Sequence, residues 1–306
     1  MDNPTIRISL HTAFRIAGIG LTLVSIYFVV TLIHRYSSQI GAELLLPSTI
    51  VAIVSCAVAY SFLLLLIGFA WLSLVKSIDH ERHHFKPLLS IYAKTQIYKY
   101  VPSNVLHFVG RYAMARKQNV AHRALAFGQI SEIILICCTA SLVSIIFSRA
   151  LLFQELKNRG FEFHSSMFNL LALSTGIAIV ILALATLHRR THLSINLIVP
   201  AATISIVCYV LFFIGNGLLL YCISLILPLA GTIDPLSLIG IATAAWLIGF
   251  MLPGAPGGIG VRDVVLVSGL STLGLAPETS VTLALSHRIM TVIGDCILAC
   301  YSPLLR

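Results

Sequence analysis

The sequence predicts an all-α, polytopic membrane helix bundle of about six full spans with two re-entrant helical hairpins. Three observations carry that expectation. Of the 306 residues, 58% are apolar and only 10% charged, whereas an ordinary soluble domain carries about 25% charge. Several runs with few or no charges reach the roughly 20 residues that a helix needs to cross about 30 Å of hydrocarbon. Two further apolar segments are interrupted by proline and glycine, which break a continuous helix. A soluble enzyme domain is excluded, in keeping with a mean hydropathy of +0.96. Residues 1–306 read as a single transmembrane domain.

The elements follow in order. Residues 1–10 lack a signal-peptide layout, and no small-residue cleavage site follows the apolar run that starts at Ala13. Residues 13–33 are therefore read as a retained first span. Span two covers about 49–75. The mixed stretch 76–123 contains the first hairpin, about 87–118, with Pro102-Ser103-Asn104 at its middle. Ser103 or Asn104 suits the cap of its second arm. Spans three, four and five cover about 124–147, 167–187 and 196–227. Gly215-Asn216-Gly217 falls near the middle of span five and reads as a break there, a hinge or, preferably, a site of close helix packing. The second hairpin, about 235–275, turns at Pro253-Gly254-Ala255-Pro256-Gly257-Gly258-Ile259-Gly260, and span six covers about 279–300. Irregular backbone at membrane depth survives only where protein or a water-filled cavity satisfies it. Both interrupted segments are read as re-entrant for that reason.

Charge sets the orientation. The formal net charge is +9, but the basic residues sit in loops between spans, so no nucleic-acid partner is expected. With span one leaving the cytoplasm, Arg7, Arg15, Arg189, Arg190, Arg306 and the nine Lys/Arg of residues 76–123 lie inside, fourteen against four outside (Arg35, Arg149, Lys157, Arg159). The positive-inside rule then places both termini in the cytoplasm of a cell membrane. The two hairpins enter from opposite sides in this topology. Span two, hairpin and span three mirror span five, hairpin and span six, an inverted repeat of the kind that frames transporter sites. It is a topological expectation, without sequence identity between the halves.

Metal, cofactor and covalent chemistry find little support. The seven cysteines all fall in apolar runs, with no CxxC or Cys/His spacing. Asp79-His80-Glu81-Arg82-His83-His84 reads as a solvated juxtamembrane cluster rather than a metal site. No Walker-type loop, nucleophile elbow or Ser/His/Asp arrangement is present. No metal, cofactor or enzymatic activity is expected.

The informative segment is Leu252 to Asp263. Gly257, Gly258 and Gly260 free backbone N–H groups just before a half-helix that starts near Arg262, and such turns bind anions. Asp263 suits the first turn of that helix, whereas Arg262 faces the like-signed end of the dipole. A nearby phosphate or carboxylate would reconcile it; the alternative is a ligand-free turn closed by an Arg262–Asp263 pair. Lys99 and Arg111 lie on the two arms of the first hairpin. Lys94 reads as a snorkelling side chain, and Tyr98 and Tyr100 as headgroup contacts or interfacial aromatics. Glu132 lies in span three. Arg288 and Asp295 lie in span six, seven residues apart and near one face. Charges this deep are costly and mark function, although Glu132 or Asp295 could simply neutralise an arginine. The candidate substrate-binding set is Lys99, Arg111, Glu132, Gly257, Gly258, Gly260, Arg262, Asp263, Arg288 and Asp295.

At these residues the chain resembles the transmembrane region of the lysylphosphatidylglycerol synthase family, flippase-like integral membrane proteins. Pro256-Gly257-Gly258-Ile259-Gly260-Val261-Arg262-Asp263 is similar to that family's Pro-Gly-Gly-(Leu/Ile)-Gly-Val-Arg-Glu signature. Lys99-Tyr100-Val101-Pro102 followed by Val109-Gly110-Arg111 is similar to its first hairpin. Glu132 and Arg288 fall where the family has a recurring glutamate and arginine. Asp263 replaces the usual glutamate, and Ser103 stands where glycine is usual. The resemblance spans most of the chain and implies lipid translocation, with a homodimer as a further implication. Some relatives add a cytosolic aminoacyl-transfer domain. This sequence runs to Arg306, directly after the last span, so synthase activity is not expected.

Three functions are weighed from the sequence. The first is a flippase-like transporter for an amphipathic lipid with a charged headgroup: a phospholipid, an aminoacyl-phospholipid or a lipid-linked glycan precursor. The second is a non-transporting membrane subunit or scaffold for a glycosyltransferase or lipid-modifying enzyme. A membrane-embedded transferase, third, needs a general base near a nucleophile, for which Glu132, Asp263 and His287 are weak candidates.

Overall fold

The computed structural model describes residues 34, 44–79, 85–100, 106–149, 195–227, 233–252 and 256–305. The regular structure of these residues is helical, with no strand. Helix α1 (Pro47–Lys76) begins with proline in its first turn, where the missing N–H costs nothing, and ends with Lys76 in its last turn, where a cation suits the dipole. Helices α2 (Phe85–Thr95) and α3 (Leu106–Arg116) follow, with a 3₁₀ turn over Gln96–Tyr100 after α2. Then come α4 (His122–Phe147), α5 (Ile195–Ser224), α6 (Pro235–Met251), α7 (Val261–Thr272) and α8 (Pro277–Tyr301).

Four helical stretches are long and apolar enough to cross a membrane: Pro47–Lys76, His122–Phe147, Asn196–Ser224 and Pro277–Leu305. They correspond to expected spans two, three, five and six. Expected spans one and four lie outside the described residues, as do Ser103 and Asn104. Both interrupted segments are helix–break–helix pairs, α2–α3 and α6–α7, whose arms pack on each other. The expected break in span five does not occur. Helix α5 runs through Asn216 without interruption, and a Cβ on Gly217 would lie 2.4 Å from the Ile239 Cα of α6. Gly215-Asn216-Gly217 therefore serves close packing, as small residues do between helices in lipid.

Helix α1 packs against α5 and α8, and α6 packs against α4, α5 and α7. A Cβ on Gly294 of α8 would sit 2.8 Å from the Ala57 carbonyl oxygen of α1, so only glycine permits this approach. Outward faces are apolar. On α1, Val51, Val54, Val58 and Phe62 form an exposed stripe at helical spacing, and Ile204, Val207 and Leu211 form another on α5. Polar and charged side chains are instead drawn inward: Arg111, Glu132, Arg262, Arg288 and Asp295 are all buried. This arrangement, apolar outside and charged within, is that of a chain embedded in a membrane. The pair α2–α3 is tied to the end of the chain by Ser90 Oγ, which donates to the Ser302 carbonyl at 2.5 Å.

Candidate functional site

The glycine turn before α7 is shaped by its sequence. Gly257, Gly258 and Gly260 have φ of 57°, 71° and 81°, a region open mainly to glycine. Space imposes the same choice: a Cβ on Gly257 would meet the Tyr100 ring at 2.8 Å, and one on Gly258 would meet the Gly249 backbone at 3.1 Å. Asp263 Oδ2 accepts the Gly260 N–H at 3.0 Å, closing the turn as half of a capping box. Asp263 is thus spent on the backbone. No Arg262–Asp263 ion pair forms among the described residues, so that ligand-free alternative from the sequence is absent here. Arg262 is 9% exposed, and its guanidinium carbon lies 5.8 Å from the Trp246 ring. It makes no hydrogen bond or ion pair with a described residue, and its Nε is sealed without an acceptor.

Arg288 lies across from this turn. It donates to the Gly257 carbonyl at 3.1 Å, its second terminal nitrogen has no acceptor among the described residues, and its guanidinium carbon lies 5.9 Å from the Tyr100 ring. Two turns further along α8, Asp295 is fully buried. It accepts Lys99 Nζ at 2.8 Å and the Tyr100 hydroxyl at 2.5 Å. Asp295 therefore neutralises a lysine of the first interrupted segment, not an arginine. Tyr100 links both segments and the last helix: its ring rests on Gly257 and its hydroxyl on Asp295.

The second buried pair is Arg111–Glu132 at 2.5 Å, joining α3 to α4. The Arg111 guanidinium carbon also lies 4.1 Å from the Tyr92 ring, 5.2 Å from Trp71 and 5.6 Å from Phe108. Glu132 is buried midway along α4, where Arg111 of α3 reaches it. His287, weighed as a base, instead contacts Asn216 at 3.2 Å.

These groups surround one cavity of about 60 Å³ between α1, α2, α3, α4, α5, α6 and the glycine turn. One water needs roughly 10–15 Å³ of such space, so the cavity has room for a few waters and is too small, as it stands, for a lipid headgroup. Of the sequence-predicted residues, Lys99, Arg111, Glu132, Gly257 and Arg262 line it. Gly258, Gly260 and Asp263 shape the adjoining turn, and Arg288 and Asp295 stand directly behind it. The sequence reading missed the rest of the wall. Tyr60, Tyr92, Gln96, His107, Phe212, Trp246 and Phe250 face the cavity, and nothing in their local spacing sets them apart from core residues. Trp246 and Phe250 are stacked at 4.9 Å and 11°.

The resulting charge pattern is uneven. Lys99 and Arg111 each have a carboxylate, whereas Arg262 and Arg288 have none within ion-pair distance among the described residues. Arg288 reaches the glycine turn, and Arg262, in the first turn of α7, lies over Trp246, so both buried guanidiniums belong to the surroundings of that helix's positive end. Two like charges in a low-dielectric interior repel strongly, and an oxyanion between them would relieve this while taking charge-assisted hydrogen bonds. No group of three or more potential metal ligands occurs among the described residues. Set against known proteins, the chain matches no family model and no curated protein.

Proposed function

We propose that this membrane protein is a flippase-like transporter that moves a phosphate-bearing amphipathic lipid across a cell membrane. The observation that carries the reading is the pair of buried arginines, Arg262 and Arg288, which lack carboxylate partners beside the Gly257–Gly260 turn. They would grip the lipid phosphate together with open N–H groups of the α7 N-terminus. Lys99 and Arg111, already paired, would act less as anchors than as wall charges. The resemblance to the lysylphosphatidylglycerol synthase transmembrane region points the same way.

Transport requires the small cavity to open. The contact of Tyr100 with Gly257 and Asp295 closes the space between the two interrupted segments, and its separation would admit a headgroup. Rocking of one half against the other about this site is the expected route. The basic loop bias places both termini in the cytoplasm in this account. Energy would come from a gradient, a potential or mass action, since the sequence carries no ATP-binding motif.

The test is a scrambling assay in reconstituted vesicles with fluorescent phospholipids, comparing the native chain with Arg262→Ala and Arg288→Ala. Transport by the native protein, lost in both folded variants, is the expected result. No transport of any lipid by a correctly folded native chain would refute it. Co-purification of a lipid-modifying enzyme would then support a scaffold.

A further inference from the structure

We propose that the cavity, once opened to admit a headgroup, selects phosphodiester lipids whose headgroup carries neutral hydroxyls, and discriminates against cationic headgroups. This rests on the phosphate-lipid reading of the same site. The argument begins with what a cation would need. A buried ammonium is held by a free carboxylate or by an empty cage of aromatic faces. Glu132 and the aromatic cage beside it are already occupied. Glu132, the carboxylate on the cavity wall, is bound to Arg111 at 2.5 Å, and the Tyr92, Trp71 and Phe108 faces surround the Arg111 guanidinium itself. Asp295, behind the turn, is held between Lys99 and Tyr100. With Lys99 held by Asp295 and Arg111 by Glu132, the described wall presents Arg262 as its uncompensated charge. An incoming ammonium would meet a like-signed surface in a low-dielectric site, where repulsion is strong.

Neutral hydrogen-bonding groups, by contrast, are free. Gln96 is 6% exposed, lines the cavity, and has no hydrogen-bond partner among the described residues. The same holds for the hydroxyls of Tyr60 and Tyr92, each on a side chain 1% exposed. None of these polar atoms is sealed away from the cavity space, and a polyol offers both donors and acceptors to them. The Trp246 ring is stacked on Phe250 and overlain by Arg262, so it offers no empty cage to an ammonium either. The phosphate on Arg262 and Arg288 places the next atoms of the headgroup beside Trp246, over which Arg262 already lies. Gln96 is the specificity-determining residue in this arrangement.

The experiment measures binding by Trp fluorescence of the purified chain in nanodiscs, using lipids with identical acyl chains. Phosphatidylglycerol and phosphatidylinositol test linear and cyclic polyols, phosphatidylcholine and lysylphosphatidylglycerol test cationic headgroups, and phosphatidic acid tests the phosphate alone. The hydroxyl-rich lipids are expected to bind at least about ten-fold more tightly than the cationic ones. Gln96→Ala should narrow that gap by about three- to ten-fold, the worth of one hydrogen bond, with phosphatidic acid unchanged. Gln96→Glu, of nearly the same shape, should shift preference toward the cationic lipids, and Tyr60→Phe should act like Gln96→Ala without loss of volume. Equal binding of cationic and hydroxyl-rich lipids, equal weakening of every lipid by Gln96→Ala, or no binding by any of them overturns the proposal. Selective binding without transport in vesicles would strike the transporter reading and leave this one standing. Transport indifferent to headgroup would do the reverse.

Discussion

Replacing Glu132 by alanine strands the Arg111 guanidinium in the bundle interior. Arg111 is 1% exposed, and its Nε already lacks an acceptor among the described residues. The aromatic faces around it are present before and after the change, so they do not offset the loss. Removing one partner of a buried ion pair costs about 3–5 kcal/mol, because the remaining charge is left uncompensated. Removing both charges at conserved volume, as in Arg111→Met with Glu132→Leu, is close to neutral by the same reasoning. The contrast is the informative part. Unfolding by denaturing detergent in mixed micelles, followed by Trp fluorescence, measures all four members of the cycle, with Trp71 reporting next to Arg111. The prediction is a large loss for each single variant and recovery of most of it in the double. A Glu132→Ala cost under about 1 kcal/mol, or a double variant as unstable as the sum of the singles, would show that the pair is not the buried, dry contact argued here.

Further predictions follow from other contacts. Asp295→Asn should cost less than Glu132→Ala, about 1–2 kcal/mol; the side chain of its partner Lys99 is 19% exposed and can turn to cavity water, and the same unfolding assay ranks the two. Gly257→Ala should lose at least about 1 kcal/mol from its positive φ alone, and its Cβ would press on the Tyr100 ring; the same unfolding assay measures the loss. Asp234 caps α6, accepting from Leu236 N at 3.3 Å and Ser237 N at 2.9 Å, so Asp234→Ala should lose about 1 kcal/mol. Burial pushes its pKa up, but the hydrogen bonds from Ser237 and Leu236 outweigh this and leave it below the ordinary value of 3.8. The cap's charge-dependent contribution is therefore complete above about pH 4 and fades as pH falls through the lower folded value; Asp234→Asn should abolish that dependence in an unfolding titration. A bulky residue at Gly294 should separate α1 from α8, and Gly294→Leu is expected to lower the yield of folded protein while Gly274→Ala, with nothing within 4 Å of its added Cβ, does so far less.

The sequence showed the helices well and their partnerships poorly. The edges of α1, α4, α5 and α8 lie within three residues of the expected spans 49–75, 124–147, 196–227 and 279–300, because an apolar run ending at polar residues is a strong local signal. The breaks between α2 and α3 and between α6 and α7 were legible from Pro102 and from the Pro253–Gly260 stretch. Gly215-Asn216-Gly217 looked like a comparable break yet lies inside a continuous helix, since packing against α6 outweighs the low helix propensity of glycine. Pairings were not legible. Asp295 and Arg288 share a helix face, which suggested an arginine neighbour, but Asp295 meets Lys99 from 196 positions away. Such contacts depend on how helices cross, which local spacing does not encode. Gln96 and Trp246 were invisible for the same reason: each looks ordinary until the helices bring it to the cavity.

The central claim is that Arg262 and Arg288 together hold one lipid phosphate. The most direct measurement is a solid-state NMR distance between lipid phosphorus and ¹⁵N-labelled arginine in reconstituted membranes. The account predicts phosphorus–nitrogen proximity at two arginines, with one signal lost in Arg262→Lys and the other in Arg288→Lys. Proximity that persists in both variants, or arises instead at Arg111, would contradict it.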